Sequence, residues 1–144
     1  MEITQFRKED LSLIEEQEIT IISDDYLSDD YLDRMEKSPF SYTIWDQGKI
    51  LGSLGIFEHT PQSFEAWAIL DKQCGGHFIS IHRAVKRFLE AAPMSRIIAV
   101  VDYEFDAGHR WASLLGFDCE ASRLTSYYPS GRDASLYAKV KYYD

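Results

Sequence analysis

Residues 72 to 89 read KQCGGHFISIHRAVKRFL, and this stretch decides the fold of the chain. After its two glycines, apolar residues recur at intervals of three and four, which predicts an amphipathic helix from about Phe78 to about Ala92. No Ser, Thr, Asp or Asn directly precedes this helix to cap its free N–H groups. These N–H groups and the permissive backbone of Gly75 and Gly76 favour an anion-binding turn. A plain strand-to-helix connection is the alternative.

The segments around this helix predict an α+β chain that forms a single domain over residues 1–144. The predicted strands are 2–6, 41–45, 50–57, 64–70, 96–101, 117–127 and 135–142, and the other predicted helices are 8–18, one beginning near Ser23, and 107–115. The residues 46–49 predict a hairpin turn, and Gly52 and Gly55 predict a bulge or a close backbone approach. A crossover helix requires parallel strands on either side of it, so the sheet is expected to be mixed but mostly antiparallel. It should have about seven strands, flanked by about four helices.

Composition excludes several classes of protein. The chain has 144 residues, 45% of them hydrophobic, which argues against disorder. Its net charge of -9 disfavours nucleic acid or an anionic membrane as the main partner. The two cysteines have neither the spacing of a disulfide framework nor that of a metal site, and nothing at the amino terminus resembles a signal peptide. We therefore expect a cytoplasmic protein without a metal.

Two short motifs carry a resemblance to a known family. The sequence QCGGHF at 73–78 matches a coenzyme A signature at Gln73 and Gly76, but has Phe78 where a small residue is expected. The sequence ASLLGF at 112–117 matches a second signature, an apolar helix end followed by Gly-Phe. With the order of elements over the whole chain, these motifs resemble the GNAT superfamily of N-acetyltransferases. A fainter likeness is to GNAT-like internal virion proteins of short-tailed phages.

The resemblance implies a co-substrate, acetyl coenzyme A, and residues that bind it. The pyrophosphate would lie on the glycine turn, and the pantetheine arm would meet backbone groups near the end of the preceding strand. The binding residues expected from the resemblance are Ala68, Leu70, Gln73, Gly75, Gly76 and His77. The acceptor would be a primary amine on a small molecule or a protein, and a homodimer is left open.

Glu65 is the expected catalytic base, because it lies in the region where several family members place one. Trp67 and Ile69 would share its face of the strand, and such apolar neighbours raise the pKa of a carboxyl. A solvent-exposed carboxylate at a strand end is the alternative interpretation. Glu58 is a weaker rival for the same role.

No general acid is evident in the sequence. Ala112 occupies the position where many family members have a tyrosine, which leaves Ser113, Tyr103 or water to protonate the departing sulfur. We expect His109 to be structural, and a nucleophilic role for Cys74 finds no partner residue in its sequence neighbourhood.

The acidic segment DDYLSDDYLD at 24–33 admits two interpretations, the border of a cleft for a cationic amine or the solvated face of a helix. Two functions are carried forward. One is acetyl transfer to a primary amine. The other is a GNAT-like fold without catalysis that serves as a binding or structural protein, with phage origin as one source.

Overall fold

The structure is a computed structural model that describes residues 1–15 and 29–141. The strands are β1 (Glu2–Gln5), β2 (Phe40–Asp46), β3 (Lys49–Thr60), β4 (Ser63–Leu70), β5 (Arg96–Asp102), β6 (Asp118–Leu124) and β7 (Ala134–Val140). The α-helices are α1 (Asp29–Lys37), α2 (Phe78–Ala91) and α3 (Asp106–Leu114), and two 3-10 helices cover Lys8–Leu13 and Cys74–His77. Among the described helices, none has the length and apolar composition needed to cross a lipid bilayer.

The seven strands form one mixed sheet in the order β1-β2-β3-β4-β5-β7-β6. Every neighbouring pair is antiparallel except β4 and β5, which are parallel. The exception follows from the crossover helix α2, since a chain that leaves one end of a strand and returns through a helix enters the next strand in the same direction. The predicted α+β fold with a mixed seven-stranded sheet is confirmed.

The parallel pair holds together at one end only. The register joins Phe64 to Ile97 and Glu65 to Ile98, and no further pair of β4 and β5 is in register. By contrast, β3 and β4 stay paired from Thr60 and Ser63 to Gly52 and Leu70. The two strands therefore part beyond Glu65 and leave a wedge in the middle of the sheet.

Helices cover both faces of the sheet. On one face, Phe6, Met35 and Phe57 pack with Trp67 and Ile69 of β4 beneath α1 and the first 3-10 helix. On the other face, α2 and α3 cover a second cluster that includes Ile56, Leu89, Ile97, Val101, Ala112, Leu115 and Phe117. Alternate residues of β4 and β5 thus face different halves of the core.

The turn predicted between β2 and β3 is confirmed. Gln47 and Gly48 both have positive φ angles, 49° and 78°, the combination of a type I′ hairpin turn. The register of β2 and β3 shifts beside Trp45, and a Cβ on Gly55 would lie 2.5 Å from the carbonyl oxygen of Phe40. Both the bulge and the close backbone approach are therefore present in β3.

The helix predicted over 8–18 is wrong in type and length. A 3-10 helix ends at Leu13, and Glu15 instead bonds with the end of β4: its N–H donates to the Asp71 carboxylate at 2.9 Å, and its carbonyl accepts from the Lys72 N–H at 2.8 Å. These two hydrogen bonds replace the backbone hydrogen bonds that a further helical turn would make. The segment 16–18, the predicted cap Ser23 and the first half of the acidic segment, residues 24–28, lie outside the described residues.

The strand predicted over 117–127 ends earlier, at Leu124. The Asp133 carboxylate accepts the N–H of Ser126 at 2.7 Å and the Nε of Arg123 at 2.6 Å, which turns the chain toward β7. Gly131, with a φ angle of 92°, donates its N–H to the Tyr128 carbonyl and completes the turn between β6 and β7. Side-chain bonds from a residue across the turn thus end the strand.

Candidate active site

A cavity of about 340 Å³ lies where β4 and β5 part, beneath α2 and α3. It begins at the 3-10 helix before α2 and continues into the core between the sheet and the two helices. Its lining is almost wholly apolar and includes Leu54, Ile56, Ala66, Ala68, Leu70, Gly75, Phe78, Val85, Phe88, Leu89, Ala99, Val101, Phe105, Trp111, Ala112, Leu115 and Phe117. A cavity of this volume is well above the size of the voids that close packing tolerates, which points to a ligand site.

The outer end of the cavity is the glycine turn. Cys74–His77 form the second 3-10 helix, and neither this helix nor α2 has a side-chain cap. A Cβ on Gly75 or Gly76 would meet no atom within 4 Å, so the space over this backbone is open. A helix start without a side-chain cap, the positive end of a 14-residue helix and open space together suit a phosphate group.

Three basic residues follow the turn on α2. Arg83, Lys86 and Arg87 are exposed, and no described salt bridge includes them. Their charges add to the positive potential at this end of the cavity in a chain that is acidic overall.

The end of β4 directs backbone groups into the wedge. Asp71 donates its N–H to the Leu51 carbonyl at 2.8 Å on the β3 side. Because successive residues of a strand direct their backbone groups to alternate sides, Ala68 and Leu70 direct theirs toward β5. No residue of β5 is in register with either of them, so these groups face the cavity.

Gln73 and His77 lie beside the turn but do not line the cavity. The Lys49 Nζ lies 3.3 Å from the Gln73 Oε1, and the His77 Nε2 lies 3.3 Å from a carboxylate oxygen of Asp46. Both side chains therefore contact the β2–β3 turn, and only their backbone belongs to the glycine turn.

Phe78, at the position where a small residue was expected, forms part of the cavity wall. Its ring lies 5.4 Å from the Trp111 ring and stacks on His82 at 6.2 Å. The Trp111 Nε1 donates to the His82 Nδ1 at 3.1 Å. The large side chain thus joins α2 to α3 at the outer end of the cavity.

Glu65 lies on the opposite face of the sheet, at the point where β4 and β5 begin to part. It is 3% exposed, and it accepts a hydrogen bond from the Tyr31 hydroxyl of α1. Burial raises its pKa, and the bond from Tyr31 and the charge of His59 offset only part of that rise. The interpretation of Glu65 as an exposed carboxylate is therefore wrong. Its rival Glu58 is exposed, and its carboxylate accepts the N–H of Gln62 at 3.1 Å.

The turn between β6 and β7 brings two tyrosines to this face, and sequence reasoning missed them. Tyr128 is buried against Val100 of β5. Burial is the main cause that raises the pKa of both Tyr127 and Tyr128, and the negative charge of Glu65 raises both further. No local pattern predicts this approach, because the tyrosines are more than 60 positions from Glu65 in the chain.

Asp102 closes the same face at the end of β5. It accepts two bonds from the Arg132 guanidinium, at 2.7 Å and 2.9 Å. Burial acts to raise its pKa, but these bonds and the N–H of Glu104 outweigh burial and hold the pKa below its usual range. Asp102 is thus a fixed anion, unlike Glu65, which suits a structural ion pair rather than proton transfer.

The candidates for a general acid do not reach the cavity. Ala112 lines it, whereas Ser113 is exposed and Tyr103 lies under the Arg123 guanidinium at 4.5 Å. His109 uses both ring nitrogens, with Nε2 2.8 Å from the Tyr103 carbonyl oxygen and Nδ1 2.8 Å from the Tyr137 hydroxyl. These bonds tie α3 to its neighbours, as expected of a structural histidine.

Cys74 is 1% exposed, and its pKa is raised by burial and by the charge of Asp71. A thiol held in its protonated form is a poor nucleophile, which agrees with the sequence expectation. Within residues 1–15 and 29–141, no group of His, Cys, Asp and Glu side chains has the geometry to hold a metal ion.

Comparison with known proteins finds likeness in structure but not in sequence. No protein-family model matches the chain, and no curated protein matches it in sequence. The structure is similar to Ard1 from Thermoplasma volcanium, with 14% identity, a TM-score of 0.74, and coverage of 99% of this chain and 98% of that one. It is also similar to the ribosomal-protein-S18-alanine N-acetyltransferase from Escherichia coli, with 16% identity, a TM-score of 0.71, and coverage of 99% and 95%.

A third similar structure is a ribosomal L7/L12 α-N-protein acetyltransferase in complex with coenzyme A. The identity is 18% and the TM-score 0.55, over 70% of this chain and 61% of that one. At these identities the likeness concerns the fold. The order of elements, the parted β4 and β5, and these neighbours together place the chain among proteins with the GNAT acetyltransferase fold.

Proposed function

We propose that this protein is an N-acetyltransferase that moves an acetyl group from acetyl coenzyme A to a primary amine. The observation that carries the proposal is the position of Glu65. Its buried carboxyl lies on one face of the sheet at the point where the strands part, and the cavity opens at the same point on the other face. A buried carboxyl and an apolar cavity therefore lie on the two sides of the sheet at the wedge.

The residues around the cavity fit coenzyme A. The uncapped turn at Gly75 and Gly76 would hold the pyrophosphate, with the basic residues of α2 nearby. The backbone groups of Ala68 and Leu70 would bond the amides of the pantetheine arm, and the apolar lining would cover its carbon atoms. When bound, acetyl coenzyme A supplies the acyl carbon to the amine nitrogen, and its sulfur leaves as the thiol.

The role of Glu65 is to remove a proton from the amine. An amine attacks only in its neutral form, and an efficient base has a pKa closer to the working pH than a free carboxyl has. Burial shifts Glu65 in this direction, and the Tyr31 hydroxyl keeps the carboxylate oriented. Tyr127 and Tyr128 would border the acceptor amine on the same face.

The leaving sulfur also needs a proton. None of the residues that line the cavity carries a hydroxyl group, so water at the cavity mouth would supply this proton. The same observation favours the second candidate function, a protein that binds coenzyme A or another ligand without catalysis.

Ligand binding and amine acetylation, measured together, test the proposal. Acetyl coenzyme A at a hundred times its Kd should stabilise the protein by about 2.7 kcal/mol, which raises Tm by several degrees. With a panel of primary amines, Glu65→Gln should lower kcat/KM by about 10²–10⁴-fold and keep the rise in Tm.

Glu58→Gln is the matched control, because Glu58 is exposed and should leave kcat/KM within about twofold. Absence of any rise in Tm with millimolar acetyl coenzyme A would contradict the proposal. A rise in Tm without acetylation of any amine would favour the binding protein instead.

A further inference from the structure

We propose that the inner end of the cavity binds the tail of an acyl group longer than acetyl, so that the donors of this protein include medium-chain acyl thioesters of coenzyme A. This inference rests on the proposed function and specifies its donor substrate. Three observations support it: the cavity extends into the core, its lining is apolar, and it lies across the sheet from Glu65.

The position of Glu65 locates the reacting carbon. The strands part just beyond Glu65 and Ile98, so an amine beside Glu65 can reach the cavity only next to Ala66 and Ala99. The pantetheine arm enters from the other side, at Gly75. The thioester therefore belongs in the middle of the cavity, and the space nearer the centre of the core remains for the rest of the acyl group.

The inner end is deep and apolar. Ile56, Leu89 and Phe117, which line it, are 1%, 2% and 5% exposed, and Leu115 lies beside them in the same core cluster. A water molecule at this wall would have no polar side chain with which to form a hydrogen bond. An alkyl chain makes no hydrogen bonds in water and therefore gives none up when it binds there. The wall therefore selects an apolar occupant.

Small residues make the room for this occupant. Ala66 and Ala99 on the two strands and Ala112 on α3 all face the cavity. The whole cavity has a volume of about 340 Å³, against about 150 Å³ for an apolar cavity that holds a benzene molecule, and the acyl tail would share this volume with the end of the pantetheine arm. Each methylene buried there should improve affinity by about fourfold.

The chemical step is the one already described, with a longer acyl group. The amine nitrogen bonds the acyl carbon, the carbon–sulfur bond breaks, one amine proton passes to Glu65, and the sulfur leaves as the thiol after it takes a proton from water. No other reactant is needed.

Binding of a chain-length series tests the inference without turnover. The Kd values of coenzyme A, acetyl, butyryl and hexanoyl coenzyme A would be measured by calorimetry on the full chain. We expect Kd to fall from acetyl to hexanoyl by at least about tenfold. Equal Kd values for acetyl and hexanoyl coenzyme A would overturn the inference and leave the proposed function standing, whereas failure of all four to bind would overturn both.

A substitution at the inner end of the cavity tests whether the acyl tail binds there. Ala112→Leu should raise the ratio of the hexanoyl Kd to the acetyl Kd by at least about tenfold, because the added side chain occupies the tail space. Ala91→Leu, on the exposed end of α2, is the size-matched control and should leave the ratio unchanged. If Ala112→Leu does not fold, Ala112→Val adds a smaller side chain at the same position and should move the ratio in the same direction. An unchanged ratio in a folded variant would contradict the inference.

Discussion

Burial and the hydrogen bond from Tyr31 shift the pKa of Glu65 in opposite directions. Burial is the larger influence and disfavours the ionised form, whereas the Tyr31 hydroxyl and the charge of His59 favour it. Asp102 shows the opposite outcome on the same face, because Arg132 outweighs its burial. The two carboxyls thus differ in the direction of their pKa shifts, which is how a site separates a proton acceptor from a fixed ion pair.

The raised pKa of Glu65 predicts a pH-dependent stability. Because its folded-state pKa lies above the ordinary 4.5, its contribution to the free energy of unfolding is present below that value and is lost as pH rises through the folded-state pKa. Glu65→Gln removes the ionisation, so wild type should lose stability relative to this variant as the pH rises above 4.5. Urea unfolding at several pH values measures the difference.

Glu58→Gln again serves as the control, since Glu58 is an exposed carboxyl on the neighbouring strand. Its difference from wild type should not follow the same trend with pH. A difference between wild type and Glu65→Gln that stays constant over this range would show that Glu65 titrates normally.

Among the elements, β3 shows most directly how close packing restricts one position of the sequence to glycine. Its glycine at position 55 allows β2 to approach so closely that an added Cβ would meet the Phe40 carbonyl at 2.5 Å and the Ser41 Cα at 2.7 Å. These are backbone atoms, which cannot move aside as a flexible side chain can. The glycine turn before α2 is different, because its Gly75 faces open space.

This contrast predicts unequal costs for one chemical change at two places. Gly55→Ala should lower the free energy of unfolding by about 1–3 kcal/mol or more, because the strands must separate to admit the methyl group. Gly75→Ala should change it by less than about 1 kcal/mol. Denaturant unfolding of both variants checks the order, and equal costs would contradict the close approach at Gly55.

Elements with a strong local pattern were predictable, and those that end through distant contacts were not. The stripe of α2 and the glycine in the β2–β3 turn are local features, and both elements form as expected. The helix predicted over 8–18 is wrong because Asp71, far along the chain, takes the N–H of Glu15. Periodicity reports which face a segment buries, but not which remote group ends it.

In the whole molecule, the sheet consists of two parts joined by a short parallel contact. Phe64 and Glu65 of β4 meet Ile97 and Ile98 of β5, and this pairing is the whole register between β1–β4 and β5–β7. Beyond it, the wedge exposes backbone groups of β4 to the cavity. A ligand in the wedge would therefore contact both parts and add the bonds that the strands lack.

Hydrogen exchange should detect this bridging. With saturating coenzyme A, the amides of Ala68 and Leu70 should exchange more slowly, because the ligand both bonds the free strand edge and opposes its opening. The amides between β2 and β3, which already have strand partners, should gain less protection. Equal protection over both regions would indicate global stabilisation without a ligand in the wedge.

The amino-acid sequence by itself determined the α+β class, the order of the strands, the hairpin turn and the glycine turn before α2, because each depends on residue type and spacing within a short segment. Only the tertiary structure decided that β4 and β5 part beyond Glu65, and that Glu65 is buried with Tyr31 and beside Tyr128. The physical reason is that burial, pKa and cavity volume depend on which distant residues meet. Tyr31 is 34 positions from Glu65, and no local periodicity encodes that contact.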